Sequence, residues 1–176
     1  MPTQMPAREV RIQADDFDLG AEVQALHADA DAVGAVASFV GTVRRGAGGE
    51  AIDALTLEHY PGMTERAIEA MVAQARRRFR IEGVRVVHRV GRLLPGERIV
   101  LVAVASSHRA EAFQACEFLM DYLKTQAPFW KQEAGAAGTH WVDARVADDA
   151  ALARWGLALP ANAAAADAES GGGPTR

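Results

Sequence analysis

The stretch DYLKTQAPFWKQE, Asp121 to Glu133, ends one amphipathic helix, breaks it at Pro128 and resumes in extended form as Phe129-Trp130-Lys131. Proline lacks the N–H that would continue the helix and pushes the residue before it out of helical geometry, so a helix-to-strand transition is predicted here. Two lysines, Lys124 and Lys131, flank the break, with two large aromatics between them. A lysine on a rigid element beside apolar bulk is partly dehydrated, which disfavours the ammonium and suits the side chain to nucleophilic or proton-shuttling work. The plainer reading has Lys124 neutralising the negative end of its helix and Lys131 as a solvated strand residue. The segment by itself leaves both open.

Upstream, Ala112, Cys116, Leu119 and Leu123 form one apolar stripe at helical spacing, and Ser107 is placed to cap that helix. Cys116 lies in the middle of the stripe and reads as a core thiol, since reactive thiols need a polar, partly open setting. The preceding IVLVAVA, Ile99 to Ala105, is apolar on both faces and belongs in the middle of a sheet. Val84 to Val90 is another strand, and Leu94-Pro95-Gly96-Glu97 between the two carries Pro and Gly at the central positions of a type II turn. Pro61-Gly62 makes a turn before a helix begun by Thr64 and Glu65. Its apolar face reads Met63, Ala67, Ala70, Met71, Ala75 and Phe79. The basic run Arg76, Arg77, Arg78 and Arg80 at its end is a solvated face that complements the helix dipole, rather than a nucleic-acid patch.

Nearer the N-terminus, Glu9 to Gln13 alternates as a short strand, and Asp18 caps a helix running through Val23, Leu26 and Ala30. Gly34 to Val43, rich in small and β-branched residues, is predicted to be a buried strand, joined by the glycine-rich loop RRGAGGEA to a partner strand at Ile52 to His59. Past Pro128, Phe129 to Glu133 and His140 to Arg145 read as extended, separated by a Gly135–Gly138 turn, and a short helix follows from Asp148 to Trp155. After Pro160 the chain turns Ala-, Gly- and Ser-rich, a composition that does not support a packed core. The order predicts an α+β fold, a mixed or antiparallel sheet with packed helices, in a single domain over residues 1–156 and a disordered tail over 157–176.

The chain's 176 residues, 49% hydrophobic and 24% charged, suffice for one domain with a real core. A net charge of −4 argues against a nucleic-acid partner. With Cys116 as the only cysteine there is no intrachain disulfide, no cysteine-rich zinc site and no paired redox thiols; no metal and no cofactor are expected. No signal-like or 18-residue apolar run occurs, so a cytoplasmic protein without a membrane partner is the expectation.

No phosphate loop, serine-hydrolase or zinc-protease motif is present. The chain instead places cations at element ends: Arg44 before the glycine loop, His108 and Arg109 in a first helical turn, then Lys124, Lys131 and Arg145. Basic residues at a helix N-terminus oppose the dipole, so His108-Arg109 carries a local cost that an anion would relieve. A pocket for a phosphorylated or carboxylated small molecule is one reading; a histidine bonded within the fold is the other.

FVGTVRRG (Phe39 to Gly46), LTLEHYPGMTE (Leu55 to Glu65), HRVGRLLPGE (His88 to Glu97), SSHRAEAF (Ser106 to Phe113) and MDYLKTQAPFWKQE (Met120 to Glu133) together resemble the large, catalytic subunit of molybdopterin synthase. The likeness runs in order from about Gly34 to Arg145 and leaves out the N-terminal arm and the tail after Trp155. It implies an α/β hammerhead-like fold and a sulfurtransferase that inserts two sulfurs into cyclic pyranopterin monophosphate, making the dithiolene of molybdopterin. The sulfur donor so implied is a thiocarboxylate at the Gly-Gly C-terminus of a small ubiquitin-like subunit. A lone cysteine in a helix stripe agrees with an external donor, and this chain's own end, Gly-Pro-Thr-Arg, is not that donor. By position, the resemblance makes Lys124 and Lys131 catalytic. Thr42, Val43, Arg44, His108, Arg109, Gln132, Glu133 and, more weakly, Arg145 join the two lysines in binding substrate. Gln126 stands where many relatives carry a basic residue, and it is left out of the site.

His108 opens the helix that Lys124 nearly closes, sixteen residues later. At 1.5 Å per residue their Cα atoms lie roughly 24 Å apart along the axis, too far for one small pterin. A symmetric homodimer, in which His108 and Arg109 of one copy complete the pocket around Lys124 of the other, is the expected resolution, and two small partners make it a heterotetramer. The alternative is a non-enzymatic module that docks the tail of a ubiquitin-like partner through its lysines.

Overall fold

The structure is a computed structural model that describes residues 8–28, 30–46, 51–136, 138–142 and 153–157. In chain order these form β1 (Val10–Gln13), α1 (Leu19–Ala25), β2 (Ala35–Thr42), β3 (Ile52–His59), α2 (Met63–Arg78), β4 (Gly83–Arg89), β5 (Gly91–Leu93), β6 (Arg98–Ser106), α3 (Arg109–Gln126), β7 (Phe129–Gly135) and β8 (Gly138–Trp141). The α+β expectation holds, and the strands divide between two sheets, ordered β1-β4-β6-β2 and β5-β3-β7-β8. Among the described residues only β1 and β4 run parallel; the other pairings are antiparallel.

β6 sits inside the first sheet and is buried on both sides, as its unbroken apolar run requires. Val100, Val102 and Val104 face α2 and α3, meeting Ile68, Met71, Val72, Phe118 and Leu119. Leu101, Ala103 and Ala105 face the other way, toward Phe17 and Leu26 around α1. Two-residue periodicity on one strand thus builds two cores. The turn from β5 to β6 is as predicted: Gly96 has φ of 92°, and Glu97 N–H donates to Leu94 O at 3.0 Å.

β2 is not the buried strand that its composition predicts. Among the described residues it forms the edge of the first sheet, pairs with β6 alone, and leaves Ser38 and Phe39 exposed. Nor does it pair with β3, which lies in the second sheet between β5 and β7. Small and β-branched residues favour a strand equally at an edge or in the middle, so composition does not decide the neighbour.

The α2 face is also rotated from the one predicted. Thr64, Ile68, Met71, Val72 and Ala75 are buried, whereas Met63 and Ala70 are exposed. The cause is a polar anchor: Thr64, fully buried, accepts from Tyr60 N–H at 3.0 Å and donates to Pro128 O at 3.2 Å. A satisfied hydroxyl can take a core position that an unpaired one could not. Asp18 caps α1 as predicted, accepting from Ala21 N–H at 3.1 Å, but α1 ends at Ala25 instead of running to Ala30. Ser107 does not cap α3; the N-cap is His108, and the Ser107 hydroxyl is buried without a partner. The hairpin β7–β8 turns between Gly135 and Gly138 as predicted. Of the predicted Asp148–Trp155 helix, residues 148–152 lie outside the described residues, and Ala153 to Gly156 form a turn closed by Gly156 N–H on Ala153 O at 2.9 Å. Arg145, the tip of the glycine loop at 47–50 and the tail from 158 onward also lie outside them.

His88 joins the sheets. Its ring stacks on Phe129 with centroids 3.9 Å apart, and Nδ1 lies 2.9 Å from Arg89 O. Burial pushes its pKa down to about 4, against a backbone hydrogen bond that raises it; the neighbouring His59 lowers it further. The unfolded chain, with an ordinary histidine, therefore binds this proton first. Between about pH 6.5 and 4 the stability should fall as pH falls, by about 1–3 kcal/mol in all for a ring that is still partly open to solvent. Denaturation of wild type and His88→Phe across that range checks the sign: the phenylalanine variant should show a flatter profile.

Candidate active site

Among the described residues no strand covers the outer side of β2, and α3 folds back over the sheet beside it. Between them lies a cleft of about 380 Å³ lined by Ala37, Ser38 and Phe39 from β2 and by Phe113, Cys116, Glu117, Met120, Asp121 and Lys124 from α3. Phe113, Glu117, Met120 and Lys124 recur at helical spacing, so α3 carries a second stripe beside the core stripe of Ala112, Cys116, Leu119 and Leu123. Phe113, at 66% exposure, and Phe39 give the cleft apolar walls that open to solvent. Lys124 is its one cation, and among the described residues it makes no ion pair.

The other predicted site residues fall into two groups. α3 begins where β6 ends, so His108 and Arg109 lie at the end of the layer where Ala35 pairs with Ser106. Lys124 comes at the opposite end of an unbroken helix, Arg109–Gln126. The Thr42-Val43-Arg44 segment leaves β2 at that same opposite end, where Thr42 pairs with Arg98. Thr42 and Arg44 are exposed, but Val43 is a core residue packed with Leu55, Leu57 and Leu93, its N–H donating to Glu97 O at 2.9 Å. Lys131 and Glu133 share one face of β7 and form an ion pair at 3.4 Å, while Gln132, alternating, faces the other way with Trp141. His140 adds a 3.8 Å contact to Glu133.

The two aromatics between the lysines do not dehydrate Lys124, which is exposed. Phe129 stacks on His88, and Trp130 meets Tyr60 edge-on at 4.3 Å. Together with the Thr64–Pro128 hydrogen bond, these contacts fix the break between α3 and β7, and so the relation of one lysine to the other. Tyr60 and Thr64 flank the predicted Pro61-Gly62 turn and His88 opens the stretch HRVGRLLPGE, but local pattern does not pair either segment with Pro128 to Trp130.

Cys116 is both part of the core stripe and a wall of the cleft. Burial pushes its thiol up to about 11, so it stays protonated at neutral pH, and Sγ donates to Val102 O at 3.7 Å. It is no resting nucleophile. Cys116→Ser should keep full activity with an external sulfur donor and lose about 1 kcal/mol of stability. Turnover and thermal melting of the variant check both halves of that statement.

The described residues contain no group of three or more histidine, cysteine or acidic side chains that could hold a metal, and no helix long and apolar enough to cross a membrane. Two separate sheets packed with three helices, and a cleft beside the edge strand β2 that holds Lys124, define an α+β protein among the described residues. The chain belongs to the MoaE protein family, which it matches over residues 12–126. It is similar to the molybdopterin synthase catalytic subunit of Ralstonia nicotianae, 56% identical over 161 residues, covering 92% of this chain and 91% of that one. Among solved structures it resembles the molybdopterin biosynthesis MoaE protein of Burkholderia ambifaria, with a TM-score of 0.74 and 58% identity over 86% of this chain and all of that one. It also resembles the molybdopterin synthase of Staphylococcus aureus, with a TM-score of 0.73 and 26% identity over 78% of this chain and 98% of that one.

Proposed function

We propose that this chain is the catalytic part of a molybdopterin synthase. It moves sulfur from the thiocarboxylated Gly-Gly end of a small ubiquitin-like subunit to cyclic pyranopterin monophosphate, twice per product. The observation that carries this reading is the cleft on the open edge of β2. It is walled by Phe39, Phe113 and Met120 and holds Lys124, which makes no ion pair among the described residues, a lining that suits a peptide tail with an anionic tip. Lys124 passes a proton to the pterin oxygen that the thiocarboxylate sulfur displaces, or stabilises the oxyanion formed when water then attacks the resulting thioester carbon, which breaks the acyl C–S bond and leaves sulfur on the pterin and a carboxylate on the tail. Lys131 sits across the Pro128 break on β7, paired with Glu133, and serves the same substrate.

The second anion site is assembled from two copies. His108 and Arg109 stand at the far end of α3 from Lys124, roughly 24 Å along the axis, so one chain does not offer both to one pterin. A homodimer with each site completed by the partner copy's His108-Arg109 pair accounts for both groups, and a small subunit on each site gives a heterotetramer. The test is incubation of the chain with the thiocarboxylated small subunit and the cyclic pterin, reading dithiolene product. Formation of dithiolene supports the enzyme; tight binding of the small subunit with no product would favour a docking module instead.

A further inference from the structure

The described C-terminal turn lies against the acidic flank of the same cleft. Trp155 is held by aromatic edges, with its ring 5.4 Å from Phe118 and 5.9 Å from Phe79, and its carbonyl accepts from Arg78 Nη1 at 2.6 Å. From that anchor Trp155 Nε1 donates to Asp121 Oδ2 at 2.8 Å. Arg154 Nη2 donates to the same oxygen at 3.1 Å and to Glu117 Oε1 at 3.3 Å.

Glu117 and Asp121 both line the cleft with Lys124. They stand four residues apart on α3, where like charges repel, and Asp121 is three residues before Lys124, where opposite charges attract. The only other basic residue of α3 is Arg109, at its opposite end. Without Arg154 the cation that α3 itself offers Asp121 is therefore Lys124, while Arg78 of α2 is engaged with the Trp155 carbonyl and the Phe118 ring. Yet Asp121, 15% exposed at its side chain, spends its carboxylate on Arg154 and Trp155, and Lys124 has no ion pair among the described residues.

We infer that Arg154 and Trp155 are positioning residues: they hold the carboxylates of Asp121 and Glu117, which leaves the Lys124 ammonium unpaired for an anionic substrate. This rests on the role given to Lys124 above. The strap has a second consequence. It offsets one of the two negative charges on an acidic wall that would repel a thiocarboxylate or phosphate entering the cleft.

The test is the full-length double variant Arg154→Gln with Trp155→Phe, which keeps the aromatic packing on Phe79 and Phe118 and removes the guanidinium charge and the indole N–H. Two readouts are taken on protein whose melting shows it folded. The first is the rate at which an amine-acylating reagent modifies Lys124 relative to Lys131, mapped by mass spectrometry; the second is turnover with the thiocarboxylated small subunit. Pairing with Asp121 should slow Lys124 acylation and turnover by about two- to five-fold. Adding Asp121→Asn to the double variant should restore both, a rescue that mere loss of packing would not show. If the double variant does not fold, Arg154→Gln alone takes its place. Unchanged Lys124 acylation in a folded strap variant, or losses that Asp121→Asn does not restore, overturns the inference. Acylation does not depend on the reaction assigned above, so a wild-type chain without turnover would count against that assignment while the strap is still read.

Discussion

A Lys124→Ala chain is expected to fold normally and to lose product formation by about 10²–10⁴-fold, the range typical of removing a positioned proton donor or oxyanion partner. Folding should survive because the side chain is exposed on the last turn of α3 and makes no ion pair among the described residues. Exposed substitutions of that kind change stability by roughly half a kcal/mol at most. The loss of activity should be in kcat, with binding of the small subunit preserved, because Phe39, Phe113 and Met120 still wall the cleft. Lys131→Ala should lose less. Its ammonium already shares an ion pair with Glu133, and its strand is held from both sides by β3 and β8. Single-turnover measurements on both variants, with melting curves alongside, settle the comparison. Wild-type turnover in a folded Lys124→Ala protein would remove that lysine from the reaction.

Two inactive chains should restore one another. Lys124→Ala and Arg109→Ala strike opposite ends of α3, and neither residue is buried. If each site draws Lys124 from one copy and Arg109 from the other, a mixed dimer holds one site with both lesions and one with none. Random exchange at equal concentrations then gives about a quarter of wild-type activity from two preparations that have almost none. Subunit exchange is followed independently by pulling down one tagged copy and weighing its partner. Confirmed exchange with no recovered activity would refute the shared site and require His108 and Arg109 to act elsewhere. The arithmetic separates the two arrangements: sites built within one chain would leave every mixed dimer with two broken sites.

The local features of this fold could be read before any coordinates, because they depend on neighbours a few residues away. The Pro128 break, the Pro95-Gly96 turn with its positive φ, the Asp18 cap and the Gly135–Gly138 hairpin each follow from backbone rules for particular residues. The unbroken run in β6 was enough to place it inside a sheet, and the Cys116 stripe was enough to place a thiol in the core. What lay beyond the sequence were the choices made between distant segments. Period-two alternation is the same for an edge strand as for a central one, so β2 as an open edge, and with it the cleft, emerged only once β6 had taken a single partner on that side. Helical periodicity tolerates a shift of one residue when a small polar side chain finds partners, and Thr64 found Tyr60 and Pro128. The aromatics beside the lysines could have shielded them; the packing of two sheets turned Phe129 to His88 and Trp130 to Tyr60 instead. The carboxylates next to Lys124 could have neutralised it, and a turn more than thirty residues further along the chain holds them. Pairing, edges and the partner of a charge are nonlocal properties, decided by which surfaces meet when the cores close.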